Sequence, residues 1–360
     1  MGRPWGPYAA AAAVTVGMFA GCGSASAPPP AQSAAPASAS AKPAHLVPVK
    51  LGLAVNILAF APLQVAEAKG FFAQHGLDVQ VVNLTGGTTS AETLYSGGVQ
   101  FAASAASDVI HADQTGLNLV AIANILDAND VELTVSKRLA EQDHISPDQP
   151  LKQRLAPLQG QLFGVTSIGS ISQIYTQMLF KSVGLDANSL RFIAIGSAPA
   201  LNAALKGGEI AGYLLGPPSG EIAQQGGYGE VIVPVAGAPI FGKQAFSDIF
   251  TTHQYASAHP EVVRAMAASI AEANRFIIDH PDQAAQIVSK TFKVPLPLLV
   301  EGLKEEPFVA DARFTQAGWE AAEKVLLQGG LLHGTLPSTQ EGVMWTNQYL
   351  PNPSGPRGGP

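Results

Sequence analysis

Apolar and polar positions alternate through residues 49–55 (VKLGLAV), the period of a strand with one buried face. After a loop, Pro62 opens a helical stretch in which Leu63, Ala66, Gly70 and Phe71 share one face. Gly76 stands where a helix C′ residue takes the left-handed backbone that glycine adopts at least cost. Residues 79–84 return to a strand pattern. Strand, helix, glycine and strand make one βαβ unit, whose parallel strands call for a right-handed connection.

The alternation continues. Residues 84–90 (LTGGTTS) end a strand and start a helix, with hydroxyls where an N-cap is wanted, and Gly97-Gly98 stops it. Residues 99–103 and 117–125 read as strands around a loop and helix at 104–116. Four strands interleaved with helices predict a mostly parallel sheet covered on both faces. Residues 126–158 break the rhythm: they hold one strand, 131–135, and a polar stretch with three prolines, and are expected to cross into a second lobe.

The plan then repeats. Strands are predicted at 162–166, 190–195 and 210–215, and helices at 171–183 and 200–206, with Gly184-Leu185 closing a helix as Gly76-Leu77 does. GLDVQVVNLTGG…LYSGGVQFA and GLDANSLRFIAIGS…LKGGEIAGY share an order of elements rather than close identity, which predicts two similar α/β lobes. Residues 231–235 are expected to return the chain to the first lobe. Helices from Pro260 to Ile277, from Pro281, and over 316–328 then buttress that lobe and strap the two together. Lobe one is thus 48–135 with 236–350, and lobe two 136–235.

In open parallel sheets ligands sit beyond the carboxyl ends of the strands. Here those ends offer Asn56, Phe60, Gly87, Thr88, Ser104, Ser107, Ser167, Gly169, Ser170, Ser197 and Pro217, with Phe241 and Lys243 added from the returning segment. They are rich in Gly, Ser and Thr and poor in Lys and Arg. Several precede helices, whose amino ends suit an anionic group without a cationic side chain. The same hydroxyls could instead cap their own helices, and the phenylalanines could be core. Asp108 is an acid near a strand end without an obvious partner, and Asp127 and Asp130 read as solvated acids on the crossover.

Composition removes several function classes. The 360 residues are 47% hydrophobic and 13% charged, enough to bury a core, and a net charge of -7 supplies no field for DNA or RNA. Eight scattered histidines and one cysteine give no zinc or iron–sulfur spacing, and no cofactor is called for. GxSxG, GxxxxGK[ST], HExxH and CxxC are all absent, which argues against an enzyme. The single cysteine closes a segment with Arg3, an apolar run over 8–20 and Phe19-Ala20-Gly21-Cys22, the parts of a secretory signal. It resembles a bacterial lipobox, with Phe19 where Leu is preferred, making residues 1–22 a signal and Cys22 the acylated residue. Residues 23–47, nearly all Ala, Ser and Pro, read as a disordered tether reaching roughly 30 Å. Residues 351–360 read as a disordered tail.

APLQVAEAKGFFAQHGLDVQVV resembles the signature of nitrate/sulfonate/taurine-type solute-binding proteins of ABC importers, the family that includes thiamine-pyrimidine binders. GGVQFAASAASD, LQGQLFGVTSIGS, MLFKSVGLD and IAIGSAPALNAALKGGEIAGYLLGPP support it in the same order, over about residues 48–345. Gln100 and Ala211 stand where the family often has an acid. The resemblance implies a type II periplasmic-binding fold: two α/β lobes, two crossover strands and a ligand in the interlobe cleft. It implies a monomeric, lipid-anchored, extracytoplasmic protein that binds a small organic anion (a sulfonate, carboxylate or aromatic acid) and delivers it to a permease and its ATPase. The alternatives are a ligand sensor, or an enzyme like the family's pyrimidine synthase, whose His and Cys-rich iron site finds only Cys22 here.

Overall fold

The computed structural model describes residues 45–234, 242–330, 332, 334–336 and 338–352. The signal, Cys22, Phe241 and nearly all of the tether and tail lie outside the described residues.

Strand β1 (Val47–Leu53) lies parallel to β2 (Leu77–Asn83), in register from Val47 opposite Leu77 to Leu53 opposite Asn83. Between them the expected single helix is two: α1 (Ala61–Lys69) and α2 (Phe71–Gln74). The break is at Gly70, whose φ of 74° caps α1 in the left-handed region, while Gly76, with φ 85°, follows the C-cap of α2 as the C′ residue expected of it. Then follow α3 (Gly87–Tyr95), β3 (Phe101–Ala105), α4 (Ala106–Gln114) and β4 (Leu119–Ala128).

Residues 131–135, expected in lobe one, belong elsewhere. Strand β5 (Glu132–Ser136) pairs with strands of the second sheet, because only Asn129, Asp130 and Val131 separate it from β4 and the chain crosses there. The second lobe continues with α5 (Lys137–Gln142), α6 (Leu151–Leu155), β6 (Leu162–Val165), α7 (Ile171–Ser182), β7 (Arg191–Ala194), α8 (Ala198–Gly207), β8 (Gly212–Leu215), α9 (Ser219–Gln225) and β9 (Gly229–Val233). Strand β9 pairs with β5, so it still belongs to the second sheet rather than to the return.

Strand β10 (Lys243–Thr252) is inserted antiparallel between β3 and β4. Among the described residues the sheets run β2-β1-β3-β10-β4 and β7-β6-β8-β5-β9. Renumbered from its own first βαβ unit, each has the same order, with one antiparallel strand where the chain arrives from the other lobe. This is the architectural repeat expected of two look-alike halves.

The chain ends in α10 (His253–Ala258), α11 (Pro260–Asp279), α12 (Pro281–Val288), α13 (Leu296–Glu305) and α14 (Gln316–Gly329). Helix α11 starts on Pro260, whose missing N–H costs nothing at that position. It buries Val263, Met266, Ile270 and Ile277 as one stripe against α1 and β4. Asn274 on the same face donates to the carbonyls of Asn124 (3.1 Å) and Val309 (2.8 Å), answering polar groups the stripe would otherwise bury unpaired. The edge of β4 is covered by the C-terminal segment, where the Thr346 N–H donates to Ala121 O and the Ala121 N–H to Met344 O. Helix α14 packs on β10 and touches α7, and Lys181 Nζ donates to Gly329 O at 3.1 Å, a strap between the lobes. No helix among the described residues is long and apolar enough to cross a membrane.

Candidate functional site

The carboxyl ends of the parallel strands in both sheets close on a cavity of about 60 Å³. The turn from β2 into α3 brings Gly86 and Gly87 to it. Gly86 has φ 99°, and a Cβ there would stand 2.7 Å from Ser167 Oγ of the second lobe, so the lobes touch at this point. A Cβ on Gly87 would collide with the carboxyl of Asp108. That carboxyl is aimed by its own helix: at the start of α4, Asp108 Oδ2 accepts the Ala105 N–H at 3.2 Å and the Ser104 hydroxyl. Burial raises the pKa of Asp108, while the bonds from Ser104 and Ala105 and the nearby His111 oppose the rise.

From the second lobe come Thr166, Ser170 and Ser172, where β6 turns into α7. Their hydroxyls largely answer one another: Ser170 and Ser172 lie 2.8 Å apart, and Ser172 Oγ accepts the Thr166 N–H at 3.1 Å. Gly216 follows β8. Phe246 and Ser247 reach the cavity from β10, and the Phe246 ring lies tilted against Tyr175 of α7, with centroids 6.0 Å apart.

The crossing from β4 to β5 supplies Asp130. It is not solvated: it is 1% exposed, lines the cavity, and neither carboxyl oxygen has a hydrogen-bond partner among the described residues. Burial pushes its pKa up to about 7. A Cβ on Gly216 would stand 2.7 Å from its Oδ2. Behind it, Glu132 accepts the Gly220 N–H at 3.0 Å, and Glu132 and Glu306 are held well above the usual carboxylate range, first by burial and then by neighbouring acids. Asp127, by contrast, is half exposed and pairs with Lys243 at 3.7 Å outside the cavity.

Of the residues expected at the strand ends, Phe60, Gly87, Ser104 and Ser170 line the cavity. Ser167 abuts it through its contact with Gly86, and Pro217 helps to close it, its carbonyl accepting the Leu58 N–H from the first lobe at 2.7 Å. The others lie off it. Asn56 accepts from Gln64 (3.3 Å), Thr88 faces a separate hollow beside α4, and Ser107 is buried without lining the cavity. The Gly169 N–H donates to Gln173, and Ser197 is exposed and caps α8 by accepting the Ala200 N–H. Thr166, Ser172, Phe246 and Ser247 also line the cavity without a signal in the sequence pattern, and Asp130, which that pattern reads as a solvated acid, lines it too.

The sign of the field inside this cavity follows from magnitudes. Helices α3 and α7 open onto it, each favouring an anion by about 0.3–1 kcal/mol, up to about 2 where partly buried. The amino end of α4 is already taken by Asp108. A unit charge about 4 Å from an ionised carboxylate interacts by about 4 kcal/mol at an effective dielectric constant near 20. With no Lys, Arg or His among the described lining residues, the two acids dominate whenever they are ionised. A roomier groove of about 600 Å³, lined by Tyr95, His253 and Tyr255, lies wholly on the first lobe at the amino ends of β3 and β4 and has no convergent acids.

Two lobes of this topology enclosing a cavity between them define a periplasmic-binding-protein fold of the type II order. The chain belongs to the NMT1/THI5-like family, whose model matches residues 58–284. It is similar in structure to a protein of Bordetella bronchiseptica RB50 at 22% identity and a TM-score of 0.70, over 84% of this chain and 95% of that one. It also resembles the periplasmic nitrate-binding protein of Synechocystis PCC 6803 (18%, TM-score 0.65, 79% and 80%). A third similar structure is the alkanesulfonate-binding protein of Xanthomonas axonopodis pv. citri bound to MOPS (15%, TM-score 0.64, 82% and 96%). In sequence it is 37% identical over 71 residues to the Bacillus subtilis (strain 168) binding protein YtlA, a match spanning 20% of this chain and 21% of that protein.

Proposed function

We propose that the protein is the extracytoplasmic solute-binding component of an ABC importer, which traps a small organic solute by hinged closure and delivers it to a permease and its ATPase. A lipid on Cys22 and the Ala/Ser/Pro tether would hold it at the membrane as a monomer. The observation that carries the reading is the cavity at which the strand ends of both sheets meet, with Gly86 against Ser167 and Leu58 bonded to Pro217 across the cleft. Such bonds contribute about 1 kcal/mol each, so closure is weak alone, and a solute drives it by binding the closed state better. The binding proteins among the structural relatives support binding rather than catalysis.

The amino ends of α3 and α7 support a sulfonate, carboxylate or aromatic acid as cargo. Asp108 and Asp130 oppose it, so an anion fits only while both acids keep their protons.

A thermal-shift screen with sulfonates, carboxylates, aromatic acids and amines tests the reading. A solute at a hundred times its Kd should stabilise by about 2.7 kcal/mol. Small-angle scattering should then show the bound protein more compact than the free one. A hit without compaction would remove hinged capture.

A further inference from the structure

We propose that the interlobe cavity is built for a small organic cation, a protonated amine or amidinium head held between the carboxyl groups of Asp108 and Asp130. The inference rests on the solute-binding reading and assigns its ligand class.

Asp130 carries it. A side chain 1% exposed, with both carboxyl oxygens unanswered among the described residues, is rare in a native fold, because burying such a group without a partner is costly. Asp248 and Glu306 are buried and unpaired as well, but of the three only Asp130 lines the cavity, so a positive head bound there lies beside a carboxyl that no donor answers.

The surrounding backbone agrees. Gly216 and Gly87 leave out the two Cβ atoms that would crowd Asp130 and Asp108. Asp108 is steadied by the Ser104 hydroxyl and the Ala105 N–H, donors that favour its ionised form. The hydroxyls that could have received an anion, Ser170 and Ser172, are bonded to each other. A volume of about 60 Å³ limits a fully enclosed head to a few heavy atoms, the size of a methylammonium or acetamidinium group. The apolar walls, Ile57 and Phe60, suit a short alkyl or aryl remainder. A positive head offers these carboxyls charge-assisted hydrogen bonds that a neutral one does not.

The test uses isosteres that differ in charge. The full chain is heated with acetamidinium, acetamide or acetate, and with benzamidinium, benzamide or benzoate, and each melting temperature is compared with that of the free protein. The cations should raise it, the neutral amides less, and the acids not at all. Asp130→Asn should weaken the cations about thirtyfold or more while leaving the amides close to their original affinity. Asp108→Asn should do the same, and should it fail to fold, Asp130→Asn decides alone. Stabilisation by the anions in preference to their isosteric cations would overturn the inference and leave solute binding standing. So would an Asp130→Asn protein that keeps its affinity for the cations. No stabilisation by any of the six, together with a flat result in the wider screen, would overturn both.

Discussion

The backbone N–H of Leu58 donates to the carbonyl of Pro217 at 2.7 Å, joining the end of β1 in one lobe to the end of β8 in the other. The Gly86–Ser167 contact is another point at which the lobes meet, and a side-chain substitution removes it more easily than it does a backbone hydrogen bond. A valine at position 86 must take a φ near 99° and set its Cβ 2.7 Å from Ser167 Oγ. The backbone strain should lower stability by about 1–3 kcal/mol. The larger effect is on closure: scattering should show Gly86→Val staying expanded at solute concentrations that compact the original protein. A variant that compacts normally would show that this contact does not gate the cleft.

Stability should fall as pH rises across the neutral range. Burial holds Asp130 at about 7, and Glu132 and Glu306 well above the usual carboxylate range. The titratable groups that interact with Asp130 are Glu132 on β5, Glu306 after α13 and Tyr175 on α7, none of them cationic. In the unfolded chain these carboxyls titrate near pH 4, so between about 4 and 7 the folded protein binds more protons. Their contribution is present in full below about pH 4 and is lost as pH rises through about 7. The urea midpoint of the free protein should therefore be higher at about pH 5 than at about pH 8, and Asp130→Asn should reduce the difference. A midpoint that climbs over this window would mean that the acids are paired in solution.

How far residues alone reached is shown by two aspartates. The βα rhythm and the glycine stops are local signals, and they sufficed for two repeated lobes and for cavity residues such as Phe60, Gly87 and Ser104, which lie at the carboxyl ends of parallel strands or in the turns beyond them. Asp130 has no such signal. Three residues between two strands look like a linker, and the glycine that stands against its carboxyl, Gly216, is distant in sequence. Phe246 and Ser247 were hidden for another reason: they lie on β10, which runs antiparallel and so does not present its carboxyl end to the cleft. Ser197 was a fair candidate by position, but its hydroxyl is engaged by α8.

Trp319 should matter to stability and not to binding. Its side chain is fully buried on α14, against β10, with Phe314 edge-on at 5.8 Å. Trp319→Ala leaves a cavity too large for the neighbours to close and should cost about 3–5 kcal/mol in denaturant unfolding. Trp319 does not line the interlobe cavity, so the folded fraction should bind solute with unchanged affinity. A loss below about 1 kcal/mol would mean that α14 is not part of the core of the first lobe.

Gly87→Ala separates space from propensity at the site itself. Position 87 is the first residue of α3 and its φ is not positive, so alanine would ordinarily stabilise by about 0.4–1 kcal/mol through the unfolded chain. Here the added methyl meets the Asp108 carboxyl, which Ser104 and Ala105 hold in place. The collision outweighs the entropic gain, because moving Asp108 breaks both bonds and leaves a buried carboxyl without donors. Gly87→Ala should therefore destabilise the protein and lose solute binding, whereas the same change made in Asp108→Ala should be neutral or stabilising. The coupling energy between the two substitutions, read from the four unfolding curves, should exceed about 1 kcal/mol. Additive effects would place the Asp108 carboxyl away from Gly87 in solution, and with it away from the cleft.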